Sequence, residues 1–110
     1  MGEFIVENVR WKKGESGLQE FHLFESDGKT VRDGTGKTYD FAFWKRGATA
    51  VKGTGALTPF DEVNGIHRYS LAGTDTDTID DYIGEIIEDP AGAKIRSETF
   101  QVDVEESSDL

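Results

Sequence analysis

The chain of 110 residues contains no cysteine. It can therefore form no disulfide and has no thiolate for catalysis or metal binding. Secreted β-domains of this size often carry a disulfide, so we expect the protein to fold in the cytoplasm of a cell. No apolar run approaches the roughly 18 residues of a membrane-spanning helix. The length predicts one domain with a single core.

Positive charge is also scarce. The chain has 12 Lys and Arg residues against 22 Asp and Glu residues, which gives a formal net charge of −10. Nucleic acids and anionic membranes are polyanions, so this balance predicts that neither is a partner. The last residues, 105–110, read as a solvated acidic tail, and we expect the folded domain to span 1–104.

The motifs of common catalytic and metal sites are missing. His22 and His67 lie on different predicted strands without a metal-binding spacing, and we expect both on half-exposed faces. No serine stands in a G-x-S-x-G turn, and 34–37 lacks the full register of a phosphate-binding loop. With 22 Asp and Glu residues in the chain, a pair of carboxylates can always be found, so such a pair is no evidence of catalysis. We therefore expect a non-enzyme with no catalytic residue, metal or cofactor.

The aspartates of the segment 75–81 leave two readings open. Asp75, Asp77, Asp80 and Asp81 supply the oxygen ligands that calcium prefers, and their spacing resembles the start of a calcium loop. The glycine and the distant glutamate that complete such a loop are absent. Short Asp and Thr side chains also favour turns, and this solvated-turn reading is the preferred one.

Alternating apolar residues dominate the rest of the chain, and they are clearest over 82–104. Apolar or small residues alternate with acidic ones around Ile86, and Phe100, Val102 and Val104 alternate with polar residues. This period of two is typical of strands with one face on a core. Pro90 lies in the intervening 88–92, which predicts a turn and hence a β-hairpin.

Further strands are predicted over 4–11, 18–24, 38–45 and 66–71, with weaker edge segments at 48–51 and 53–58. About seven short antiparallel strands separated by turns predict an all-β, immunoglobulin-like two-sheet sandwich, with a closed barrel as the alternative. Tyr82 falls where such folds often place a tyrosine whose hydroxyl bonds to nearby backbone. The predicted core consists of Tyr39, Phe41, Phe43, Tyr82, Ile86, Phe100 and Val102.

Two apolar regions are candidates for a protein interface. Trp44 has the opposite parity to the core aromatics of its strand, which predicts an outward side chain for stacking on a protein or a sugar. The first strand carries few charges, and an exposed edge strand is a template for pairing. The candidate interface residues are Phe4, Ile5, Val9, Trp11 and Trp44. The alternatives are that Trp44 covers a strand edge and that the first strand pairs within a monomer.

A series of short motifs runs through most of the chain, from about residue 18 to 104. In order they are Phe21-x-Leu23, Asp27-Gly28-Lys29-x-Val31, Thr35-Gly36-x-x-Tyr39-x-Phe41-x-Phe43, Asp75-Thr76-Asp77-Thr78, Tyr82-x-Gly84-Glu85-Ile86 and Thr99-Phe100-Gln101-Val102-Asp103-Val104. This order resembles the N-terminal domain of phage upper-baseplate proteins (the BppU family). The sequence departs from that pattern at Asp33-Gly34, where an apolar residue is usual, and at Asp81, where glycine is usual.

The resemblance implies an immunoglobulin-like module that attaches to a phage tail tip. It implies a non-enzymatic virion structural protein, an anchoring or accessory module of the tail or baseplate. Its partners would be other virion proteins in a symmetric multi-copy assembly, after folding in the host cytoplasm. The alternatives are a carbohydrate-binding or an adhesion sandwich, the former using Trp44.

Overall fold

The computed structural model describes residues 3–106, and over this range the regular structure consists of strands and two short 3₁₀ helices. The ten strands are β1 (Ile5–Val6), β2 (Val9–Lys12), β3 (Gly17–Phe24), β4 (Tyr39–Lys45), β5 (Val51–Ala56), β6 (Thr58–Asp61), β7 (Ile66–Leu71), β8 (Asp80–Glu88), β9 (Ile95–Arg96) and β10 (Phe100–Glu105). The 3₁₀ helices are η1 (Glu62–Asn64) and η2 (Gly73–Thr76).

These strands form two sheets. The four-stranded sheet has the order β1-β3-β7-β6, and the six-stranded sheet has the order β2-β10-β8-β4-β5, with β9 also paired to β8. A single cluster of buried side chains lies between the sheets. The predicted all-β, two-sheet sandwich is therefore confirmed.

The inner faces follow the alternation in the sequence. In β4 the side chains of Tyr39, Phe41 and Phe43 are buried, with 2%, 0% and 0% exposure, whereas the residues between them are partly exposed. The ring centroids of Phe21 and Phe41 lie 4.8 Å apart, so aromatic rings of the two sheets are in contact. All seven predicted core residues belong to the cluster, and the predicted core is confirmed.

The predicted hairpin is also observed, with one irregularity. β8 pairs antiparallel with β9 and then with β10, but Ile87 opposes Arg96 whereas Gly84 opposes Phe100, so one extra residue lies between the two paired stretches. The Tyr82 hydroxyl donates to the carbonyl oxygen of Thr78 at 3.0 Å, which confirms the predicted tyrosine bond to nearby backbone.

The predicted first strand, 4–11, is wrong as a single strand. β1 joins the four-stranded sheet and β2 joins the six-stranded sheet, so the chain changes sheets at Glu7 and Asn8. The Asn8 side chain accepts a bond from the backbone N–H of Gln101 at 2.9 Å at this crossing. β2 runs parallel to β10, so the expectation of antiparallel pairing throughout is also wrong.

Smaller differences concern the middle of the chain and its end. In the strand predicted over 48–51, residues 48–50 are irregular and only Val51 belongs to a strand, β5. The strand β6 was not predicted. β10 includes Glu105, one residue beyond the predicted domain boundary. The predicted tail lies largely outside the described residues, because the structure describes nothing after residue 106.

Candidate interaction surfaces

The outer face of the six-stranded sheet carries an apolar row of Trp44, Val51 and Ile83, which we name the Trp44 surface. Cross-strand pairing places Trp44 of β4 between Val51 of β5 and Ile83 of β8. Ala42 and Thr54 form the next pair along the same two strands. Val51 is 53% exposed, and Trp44 and Ile83 are half-buried. The structure therefore places Trp44 on the predicted outward face, with apolar neighbours.

Acidic residues border this surface. Lys45 pairs with Asp80 at 3.2 Å, and Arg96 pairs with Glu85 at 2.8 Å. Asp40 lies on β4 opposite Ala56 of β5, and within residues 3–106 its carboxylate has neither a hydrogen bond nor an ion pair. An isolated carboxylate at the border favours a partner with positive charge.

Phe4 and Trp11 are not on the surface, so their prediction as exposed interface residues is corrected. Both side chains are 0% exposed. The Phe4 ring packs edge-on against Tyr39 with the centroids 6.1 Å apart. The Trp11 ring packs edge-on against Phe43 with the centroids 5.4 Å apart. Trp11 lies on the edge strand β2 and Phe4 directly precedes the edge strand β1. Both large side chains are buried nevertheless, because that burial stabilises a small core.

Trp11 also satisfies its polar atom inside the domain. Its indole N–H donates to the Gln19 side-chain oxygen at 2.8 Å. A buried indole nitrogen usually needs such a partner. This bond further ties Trp11 to the fold, so of the two tryptophans only Trp44 offers an accessible ring.

Ile5 and Val9 are half-buried, and their role in an interface stays a prediction. Val9 packs against the core and borders a shallow cavity of about 330 Å³ between β3 and the crossing from β1 to β2. Asn8 and Gln19 also line this cavity. Ile5 is on the edge strand β1 of the four-stranded sheet.

A second exposed aromatic was missed by the sequence reasoning. Phe60 on β6 is 55% exposed, and the Arg68 guanidinium lies 3.6 Å from its ring centroid. Arg68 also donates to Glu20 at 3.0 Å. A cation stacked on an exposed ring is worth roughly 0.5–1 kcal/mol. The sequence signal was weak, because Phe60 follows Pro59 in a segment that does not alternate.

A buried ion pair lies at one end of the sandwich. The Arg32 guanidinium donates to both oxygens of the Glu88 carboxylate at 3.0 and 3.2 Å, and Tyr39 donates to the same carboxylate at 2.7 Å. Arg32 also lies 4.6 Å from the Phe4 ring centroid. Burial alone would raise the pKa of Glu88, but the bonds from Arg32 and Tyr39 outweigh it and lower that pKa. Burial, with the bond to Glu88, raises the pKa of Tyr39.

His67 lies beside this cluster and is 1% exposed, so its prediction on a half-exposed face is wrong. Its ring packs edge-on against Tyr39 with the centroids 4.6 Å apart, and its Nε2 has no hydrogen-bond partner within the described residues. Burial lowers the pKa of His67, and the nearby Glu62 carboxylate opposes this effect only in part. His22 is half-buried, as predicted.

The aspartates at 75–81 make protein contacts. Asp75 is buried and accepts bonds from the Tyr69 hydroxyl at 2.8 Å and from the Ala72 backbone N–H at 2.9 Å. Asp77 accepts bonds from Lys52 and Thr78, and the Lys52 bond is the main reason that the pKa of Asp77 is lowered. Two of the four carboxylates are thus engaged in holding the segment against β5 and β7.

Metal-ligating side chains do not gather elsewhere either. Across residues 3–106 no group of three or more His, Cys, Asp or Glu side chains has a metal-binding arrangement. In the same range no helix is long and apolar enough to cross a membrane.

These observations define the class of the protein: an all-β, two-sheet sandwich with several exposed apolar side chains. The sequence matches no protein-family model and no curated protein. Among solved structures it is similar to the N-terminal domain of phage TP901-1 ORF48, with a TM-score of 0.67 and 15% identity. The match covers 96% of this chain and 100% of that domain. The resemblance inferred from the motifs is thereby confirmed at the level of the fold.

Proposed function

We propose that this protein is a non-enzymatic phage structural protein that acts through protein–protein contacts in the virion. The observation that carries the proposal is the similarity in fold to a complete domain of the phage TP901-1 protein ORF48. The motifs over 18–104, which resemble upper-baseplate domains, support the same assignment from the sequence alone. The finer role is an anchoring or accessory module of the tail or baseplate.

We also infer that the sandwich is of the immunoglobulin type. The order β1-β3-β7-β6 corresponds to strands A, B, E and D of that fold, and β10-β8-β4 corresponds to G, F and C. The Tyr82 hydroxyl bonded to Thr78 corresponds to its tyrosine corner. Such modules work as scaffolds whose loops and faces bind partners, which fits a structural role.

The partners in this proposal are other virion proteins in a symmetric multi-copy assembly. The net charge of −10 opposes binding to nucleic acid or to an anionic membrane. The proposed contact residues are those of the Trp44 surface and the half-buried Ile5 and Val9. Trp44 and Val9 are on the six-stranded sheet, and Ile5 is on the four-stranded sheet. Contacts on both sheets allow one copy to touch more than one neighbour.

The test is quantitative mass spectrometry of purified particles. We expect the protein at a fixed integer ratio to a known tail protein, unchanged by washing in high salt. The matched control is a preparation from cells in which the gene is deleted, which should lack the protein. If wild-type particles also lack it, the virion assignment is wrong.

A carbohydrate-binding module is the second candidate, because the Trp44 ring is accessible on a sheet face and aromatic rings stack on sugars. Titration with host cell-surface glycans, followed by tryptophan fluorescence, separates the two functions. Trp11 is buried, so a response that arises at Trp44 should vanish in Trp44→Phe and remain in Trp11→Phe. The structural function expects no response in any of the three proteins.

A further inference from the structure

The strand β9 has only two residues, and its Arg96 carbonyl accepts a bond from the N–H of Glu3. Apart from β9, the described part of the two sheets has four edge strands, and three of them carry features that hinder pairing with another chain. β6 contains Pro59 and a register shift after it, and β1 has only two residues. β2 carries Arg10 and Lys12, which pair with Glu105 at 2.9 and 3.1 Å. Proline, irregular pairing, short length and charge are the usual protections of an exposed edge.

The fourth edge, β5, has none of these protections over its second half. It is six residues long, and its one charged residue, Lys52, is already paired with Asp77. The segment η2 lies against Lys52 and Gly53. Lys52 donates to Asp77 at the end of η2, and Gly53 is so close to the Asp75 carboxylate that a Cβ at this position would collide with it. The residues from Thr54 to Ala56 lie beyond this cover, and Thr54 and Ala56 are exposed.

The backbone of this stretch has unused hydrogen-bonding groups. The N–H of Leu57 donates to the carbonyl of Tyr39 at 2.9 Å, and Gly55 lies opposite Phe41 in register. In an antiparallel ladder the bonded residues alternate, so Gly55 bonds to β4 while the N–H and C=O of Thr54 and Ala56 point away from it. Within residues 3–106 no strand pairs on that side of β5.

A row of such groups on a sheet edge can bind an extended backbone with complementary donors and acceptors. The outer face beside the edge selects the side chains of that occupant. Asp40 lies opposite Ala56, and its carboxylate is unpaired in the described chain. An added strand would lie about 9.6 Å from β4, two strand spacings away. A Lys or Arg reaches this far across the small Ala56 side chain.

We propose that the free edge of β5 is a strand-addition site for an extended, basic segment of a neighbouring virion protein. In this arrangement the segment bonds to the backbone of Thr54 and Ala56, and one Lys or Arg crosses Ala56 to Asp40. The inference rests on the proposed function for the identity of the partner. A second copy of the chain is a poorer occupant, because both copies carry a net charge of −10.

The first test measures backbone exchange in particles that contain the wild-type protein. In the free protein the amides of Thr54 and Ala56 should exchange hydrogen rapidly, and those of Gly53 and Gly55 slowly. In the particle we expect the first two amides to become protected at least tenfold, without any substitution. If they exchange in the particle as fast as in the free protein, strand addition at β5 is wrong.

The second test uses variants and counts copies per particle. Ala56→Pro removes the outward N–H and should lower incorporation at least tenfold, while the control Ala56→Ser keeps the N–H and should incorporate normally. Asp40→Asn should weaken incorporation severalfold, and more strongly at low salt. Thermal melting of each free variant shows whether a loss of incorporation comes from lost binding or from lost folding. If Ala56→Pro does not fold, hydrogen exchange in wild-type particles tests strand addition instead.

The outcomes distinguish this inference from the proposed function. Wild-type protein that is absent from particles overturns both. Protein that is present, with normal incorporation of folded Ala56→Pro, overturns strand addition alone. Sedimentation of the free protein tests whether a second copy binds the edge of β5. A dimer in which the amides of Thr54 and Ala56 are protected from exchange would show that a second copy is the occupant, and the proposed partner would be wrong.

Discussion

At the scale of single residues, the most consequential feature is the ion pair between Arg32 and Glu88. Glu88 lies on the inward parity of β8, in line with Tyr82, Gly84 and Ile86, so the sequence did contain a sign of its burial. Arg32 follows no such pattern, since it stands in the irregular segment between β3 and β4. The pairing of these two residues is set by tertiary structure, and strand alternation alone does not predict it.

Removing Arg32 should destabilise the protein strongly. The side chains of Arg32 and Glu88 are 17% and 3% exposed, and Arg32→Ala leaves a buried carboxylate without its cation. We expect a loss of about 3–5 kcal/mol in the free energy of unfolding, measured by urea denaturation. The control is Arg96→Ala, which breaks a more exposed pair with Glu85 and should cost below about 1 kcal/mol. Equal effects of the two substitutions would contradict a stabilising role of the buried pair.

His67 should make the protein sensitive to mild acid. Its folded pKa is lowered by burial, whereas the unfolded chain takes up a proton near the ordinary value of about 6.5. Below that value the unfolded state binds more protons than the folded state. Stability should therefore fall as the pH drops below about 6.5, by at most about 1.4 kcal/mol per pH unit from this residue.

The measurement is the free energy of unfolding of wild type and His67→Gln between pH 7 and pH 5. We expect the variant to lose most of the slope over this window, whatever its absolute stability. The matched control, His22→Gln, removes the half-buried histidine on the outer side of β3, and comparison with it shows how much of the slope belongs to His67. An unchanged slope in His67→Gln would mean that another group binds the proton.

At the scale of elements, the strands with regular alternation were predictable and those without it were not. β3, β4, β7, β8 and β10 all bury alternate residues and were identified. The sequence of the predicted first strand does contain a sign of its division into β1 and β2. Phe4 and Val6 are buried at even positions, whereas Trp11 is buried at an odd one. A change of parity within eight residues marks a change of sheet, because one sheet face cannot bury both sets.

The segment that contains η2 should hold its structure without calcium. Asp75 holds Tyr69 and the backbone of Ala72, so the fold needs its carboxylate without any ion. We expect 1 mM calcium to leave the melting temperature unchanged, and Asp75→Asn to lower it with or without calcium. A site of micromolar affinity would add about 4 kcal/mol under these conditions. A clear calcium-dependent rise that Asp77→Ala abolishes would favour the calcium-rigidified adhesion domain instead.

At the scale of the whole molecule, one aromatic core joins both sheets. Phe41 contacts rings on β3, β7 and β10, with centroid distances of 4.8 Å to Phe21, 4.9 Å to Tyr69 and 6.0 Å to Phe100. We expect Phe41→Ala to cost about 3–5 kcal/mol, since truncating a buried aromatic leaves a cavity. The measurement is thermal melting, with the exposed Phe60→Ala as control. A melting temperature within a degree or two of wild type would contradict the central position of Phe41.

The interaction surfaces were only partly predictable. Outward parity located Trp44 correctly, because alternation within one strand fixes which way each side chain points. The edge-strand argument failed for Phe4 and Trp11, because residues at a sheet edge can still bury large side chains. The free edge of β5 depends on sheet order and on the cover supplied by η2. Both are properties of the assembled sandwich, and the spacing of residues does not reveal them.

The parallel pairing of β2 with β10 has a mechanical consequence. These strands lie near opposite ends of the described chain and are held side by side over four residue pairs. Tension applied to the two ends of the domain would pull β2 and β10 past each other along their length. Their hydrogen bonds would then be loaded in shear, and they would have to break together instead of one after another. The domain is thus expected to resist stretching along its own chain.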